Sequence, residues 1–103
     1  MDNFKLIYKI LHELEQNMGN EDFVIYPVCA KELGISFEKW EYLLIALQDE
    51  GYIRGLGISD KPEDISRYIT DTRGVGITIK GLEYLENNPL MLKVKKELGA
   101  GMK

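Results

Sequence analysis

Phe4, Ile7, Tyr8, Leu11, Leu14 and Met18 recur at the i, i+3, i+4 spacing of one helical face, flanked by Leu6 and Ile10. Asp2 suits the N-cap of this helix and Gly19 its end. The β-branched and aromatic run Asp22-Phe23-Val24-Ile25-Tyr26 predicts one short strand. Pro27 opens and Gly34 closes a short helix over Val28–Leu33, and Ser36 caps a longer one. That longer helix carries Phe37, Trp40, Leu43, Leu44 and Leu47 on one side and ends at Gly51. Tyr52 to Ile58 predicts a strand, and Gly74 to Ile79 begins a second. The polar connection between them, Ser59 to Arg73 with Pro62, is long for a hairpin loop and predicts a floppy or partly helical wing. Thr78 caps a helix bearing Leu82, Tyr84 and Leu85. Asn88-Pro89 opens a last one bearing Leu90, Val94 and Leu98, which stops at Gly99.

Helix, strand, short helix, glycine turn and longer helix are the parts of a helix-turn-helix core. The expected fold is therefore α+β, mainly α: a winged helix-turn-helix with a three-helix core, a short three-stranded sheet with its wing, and C-terminal helices. It occupies one domain over 1–98, with the wing at 59–73 and a frayed tail at 99–103. In its core, Phe37, Trp40, Leu43, Leu44 and Leu47 are expected against Phe4, Ile7, Leu11 and Leu14, closed below by Tyr52 and Ile53.

Four stretches carry a resemblance to a known family. They are Asp2 to Leu11, Leu33 to Trp40, Leu47 to Ile53 with its phrase Asp49-Glu50-Gly51-Tyr52-Ile53, and Ile77 to Asn88. Together they resemble the YjcQ-like winged-helix proteins of bacteria and their phages, over nearly the whole chain except the wing. The resemblance implies the winged-helix fold and a mobile-element or regulatory setting. It brings no catalytic residues.

Charge changes the picture. Over 103 residues, 13 Lys and Arg stand against 17 Asp and Glu, a net charge of −4 with pI near 5.0, which is not the clustered positive field of a general nucleic-acid binder. From Ser36 to Glu50, one lysine faces Glu38, Glu41, Asp49 and Glu50, so the helix that would enter the major groove is itself acidic. In the wing, Lys61, Arg67 and Arg73 face Asp60, Glu63, Asp64 and Asp71. The longest uncharged apolar stretch, Tyr42 to Leu47, is too short to span a bilayer, and no secretory leader pattern opens the chain, so a cytoplasmic protein is expected.

No catalytic constellation emerges, and the expectation is a non-enzymatic protein with no metal and no cofactor. His12 is the only histidine and has no metal-ligand spacing; Cys29 is the only cysteine and reads as a small apolar filler. The glycines fit neither a dinucleotide fingerprint nor a phosphate loop. The helix carboxylates read as a solvated face. Two readings stay open. The first is a DNA-binding regulator of prophage or mobile-element type, contacting phosphates through Lys39, Arg54, Arg67, Arg73 and Lys80. The second is a protein-interaction or dimerisation module using Tyr42 and Ile45, an aromatic–aliphatic pair on the side of the helix away from the core, unless the wing or terminal helix folds over them. A symmetric homodimer through Leu6 and Ile10 of the first helix and Leu90, Val94 and Leu98 of the last is expected with either.

Overall fold

Helix α1 spans Asn3–Gln16, opened by the Asp2 carboxylate, whose Oδ1 accepts the Lys5 amide at 2.9 Å. A computed structural model describes residues 2–60 and 67–101. After α1 come a single 3₁₀ turn over Tyr26–Val28, α2 (Ala30–Leu33) and α3 (Phe37–Asp49). Four short strands follow: β1 (Ile53–Arg54), β2 (Gly57–Asp60), β3 (Arg67–Asp71) and β4 (Gly76–Ile77). Helices α4 (Ile79–Asn87) and α5 (Pro89–Gly101) complete the chain. The class is α+β, mainly helical, with short antiparallel pairs of strands.

The strand expected at Asp22–Tyr26 does not form. The Asn20 side chain takes the Asp22 amide at 3.0 Å, and the Ile25 carbonyl accepts from Val28 at 3.0 Å. Pro27 has no amide to add to a ladder. Local turn bonds therefore outcompete β propensity, and the segment folds down to bury Ile25 and Val28. The helix expected over Val28–Leu33 shrinks to the 3₁₀ turn and α2, which Gly34 ends in the left-handed region at φ 71°.

Instead of one three-stranded sheet there are two separate pairs. β1 runs antiparallel to β4, with Ile53 opposite Ile77. β2 runs antiparallel to β3, with Ile58 opposite Ile69. The continuous strand expected from Tyr52 to Ile58 is broken at Gly55 and Leu56. Gly55 has φ 89°, and a Cβ there would stand 1.9 Å from the Gly74 carbonyl oxygen, so only glycine fits the crossing. The Gln48 side-chain amide holds the break: its Oε1 accepts the Leu56 amide at 2.9 Å and its Nε2 donates to the Leu56 carbonyl at 3.3 Å. The expected floppy or partly helical wing is a β-hairpin at both its described ends. Lys61, Pro62, Glu63 and Asp64 lie outside the described residues.

Trp40, Leu44, Leu47, Leu11, Leu14 and Ile53 enter the core as expected, with Ile7, Leu43 and Tyr52 partly buried against it. Phe37 and Phe4, at 55% and 44% exposure, do not. Met18 is exposed too, whereas Leu6 and Ile10 are fully buried. The reason is that α1 packs against α4 and α5 as well as against the 3₁₀ turn and β4. The face toward the last helices thus becomes the deepest one. Met91 and Val94 of α5 are buried as well, so the expected homodimer face loses Leu6, Ile10 and Val94, which are covered within one chain. Helix α5 also runs through Gly99, where a stop was expected, to Gly101; of the expected frayed tail, Met102 and Lys103 lie outside the described residues.

Thr78 joins the strands to α4. Its hydroxyl donates to the Gly51 carbonyl and accepts the Gly81 amide at 2.9 Å. Thr78→Val keeps the volume and removes both bonds, so it is expected to cost about 1–3 kcal/mol. The check is a lower urea midpoint at unchanged slope.

Candidate functional site

The outward side of α3 is not bare. Strand β3 lies across it, held at two points. The Arg67 guanidinium donates to both Asp49 carboxylate oxygens, one bond at 3.0 Å, and the Ile69 amide donates to Glu41 Oε2 at 2.9 Å. The second bond fixes backbone to side chain across 28 positions of sequence. Bonds from Arg67 hold the Asp49 carboxyl below the usual carboxylate range, so the pair stays charged through neutral pH.

Between helix and hairpin runs a groove of about 360 Å³ lined by Glu38, Glu41, Tyr42, Ile45, Ala46, Asp49 and Arg67. Ile45, expected on the exposed side, is only 7% exposed. That burial accords with the alternative that the wing or the terminal helix folds over this side of the helix. Tyr42 is 74% exposed, so the expected exposed pair is reduced to its aromatic half. Glu41 and Asp49, read from sequence as part of a solvated face, are instead the acceptors that anchor the hairpin. No local signal marks them, because their partners lie in a polar stretch far along the chain.

Of the five basic candidates, Arg67, Arg73 and Lys80 already have polar partners within the chain. Lys39 is exposed in the first turn of α3, and Arg67 is committed to Asp49. Arg73 donates through Nε to Asp71 Oδ1 at 3.0 Å and through a terminal nitrogen to Oδ2 at 3.1 Å. Those bonds also hold the Asp71 carboxyl below its usual range. Lys80 donates to the Glu50 carbonyl at 2.7 Å and stands 5.0 Å from the centre of the Tyr52 ring. Arg54 and Arg73 do share a groove, with Asn17, Phe23, Val75 and Ile77 among its walls.

His12 is exposed, stacks on Tyr8 at 5.4 Å and lies 3.8 Å from Glu15. Cys29 is half-buried. Among the described residues, no group of three or more His, Cys, Asp or Glu could hold a metal, and no helix is long and apolar enough to cross a membrane.

Residues 8–100 match the family model described as YjcQ protein, and the chain therefore belongs to that family. No curated protein and no solved structure matches it.

Proposed function

We propose, from its membership of the YjcQ family and from the geometry of α3, that this chain is a small non-enzymatic winged-helix protein that contacts another protein through the outward side of that helix. What carries the reading is the hairpin bound across the helix by Arg67–Asp49 and Ile69–Glu41. Groove recognition of DNA needs the helix face free and positive. Here the face carries Glu38, Glu41 and Asp49, and its nearest arginine is already paired. An exposed aromatic ring with a charged rim suits a protein partner better. A phage-type or regulatory setting accords with the family.

A second reading, a DNA-binding regulator, draws support from one observation: Arg54 and Arg73 border the same groove, away from α3. One titration separates the two. Random-sequence duplex at low salt is expected not to bind. Binding that weakens steeply with salt, at a slope of about −0.9 per phosphate contact, and that is abolished by Arg54→Glu with Arg73→Glu, would overturn the protein-contact reading. Its positive arm is Tyr42→Ala, which is expected to lower recovery of the partner from the native host while leaving the melting temperature nearly unchanged.

A further inference from the structure

We propose that the cleft between α1, α2 and the end of α5 binds a free medium-chain carboxylate, its alkyl chain on the apolar walls and its head between Lys9 and Lys95. The cleft shares no residue with the α3 groove, so the proposal stands apart from the protein-contact reading.

Helix α1 supplies one wall, the 3₁₀ turn with α2 a second, and the end of α5 a third. The space between them is about 480 Å³, within the roughly 300–1,000 Å³ usual for small-molecule sites. Apart from Tyr8 and the alkyl stems of the lysines, the apolar lining is aliphatic. Val28 and Leu33 are buried, Leu98 is half-buried and Pro27 is exposed. Met91 and Val94 precede Leu98 on the same stripe of α5 and are buried, whereas Leu98 is left bordering the cleft. An alkyl chain matches such walls better than a flat aromatic ring or a sugar.

Charge selects the head group. Lys9, half-buried on α1, and Lys95, exposed on α5, both line the cleft. Among the described residues neither forms an ion pair. The two carboxylates that also line it are already engaged. Glu13 accepts from the Asn17 side chain at 2.8 Å, and Glu32 is set against the Tyr26 hydroxyl, whose pKa it raises. The four charges sum to zero, yet the groups with unused hydrogen-bonding capacity inside the chain are the two ammoniums. A carboxylate head receives charge-assisted bonds from both without displacing a protein contact. An alkylammonium would instead compete with Asn17 and Tyr26 for the acids, and an alcohol forgoes the charge.

A matched-chain series followed by NMR tests this. Sodium decanoate is expected to bind saturably with a Kd below about 1 mM, shifting the methyls of Val28, Leu33 and Leu98. Decanol and decylammonium are expected to bind at least about tenfold more weakly. Lys9→Gln with Lys95→Gln is expected to weaken decanoate at least about tenfold, leaving decanol binding and the melting temperature unchanged. Absence of saturable shifts at those methyls would overturn the site. Equal binding of decanol or decylammonium would overturn the carboxylate as its occupant, and so would undiminished decanoate affinity in the double variant or a parallel loss of decanol. None of these outcomes touches Tyr42, so the test of the α3 surface succeeds or fails independently.

Discussion

Trp40→Ala is expected to destabilise the protein by about 3–5 kcal/mol, a large share of the roughly 5–15 kcal/mol that holds a domain of this size together. The indole is 6% exposed, within the core cluster that draws residues from all five helices, the 3₁₀ turn and the β1–β4 pair. Its Nε1 donates to the Val28 carbonyl at 2.8 Å, which ties α3 to the turn that replaces the expected strand. Alanine therefore removes the packed ring and orphans a buried carbonyl together. Trp40→Phe separates the two: it keeps most of the apolar area and loses the bond, at about 1–3 kcal/mol. Urea unfolding followed by circular dichroism measures both. An alanine variant within about 1 kcal/mol of wild type would mean that the site collapses around the cavity, contrary to the packing described.

Gly55→Ala is the second large effect, expected at roughly 2–5 kcal/mol from strain at a left-handed φ together with overpacking. A Cβ at this position would stand 1.9 Å from the Gly74 oxygen and 2.6 Å from the Gly74 carbonyl carbon. Backbone has to give way, since no flexible side chain is involved. The damage is expected to centre on the break between β1 and β2, with the β1–β4 pairing of Ile53 and Ile77 lost along with the Gln48 bonds to Leu56. Amide exchange at Leu56 and Arg54 reads this out. A variant with wild-type protection at both would show that the crossing relaxes without harm.

Much of the fold is legible in the sequence where a local side chain decides the local backbone. Ser36 accepts the Lys39 amide at the start of α3. Thr78 caps α4, and the Asn88 Oδ1 accepts the Leu90 and Met91 amides at the start of α5. The features that escaped depend on distant partners. Periodicity marks the apolar stripe of α1 but cannot say that α4 and α5 will cover its Leu6–Ile10 edge more deeply than Phe4. β3 is polar along most of its length and is a strand because β2 and Glu41 take its amides. Ile45 sits at a position that helical phase alone assigns to solvent, yet it is buried. Of the pair expected to be exposed on α3, Tyr42 is exposed and Ile45 is buried.

The packing of α1 against α4 and α5 also bears on how the molecule is made. Leu6 and Ile10 are synthesised well before α4 and α5, the helices that cover them. A nascent chain that has completed α1 to α3 still carries a bare apolar edge, and cooperative closure waits for Met91 and Val94 to clear the ribosome. Helix α5 is thus the step that commits the polypeptide. A ribosome stalled before Pro89 holds a species prone to aggregation or to capture by chaperones, whatever the stability of the finished protein.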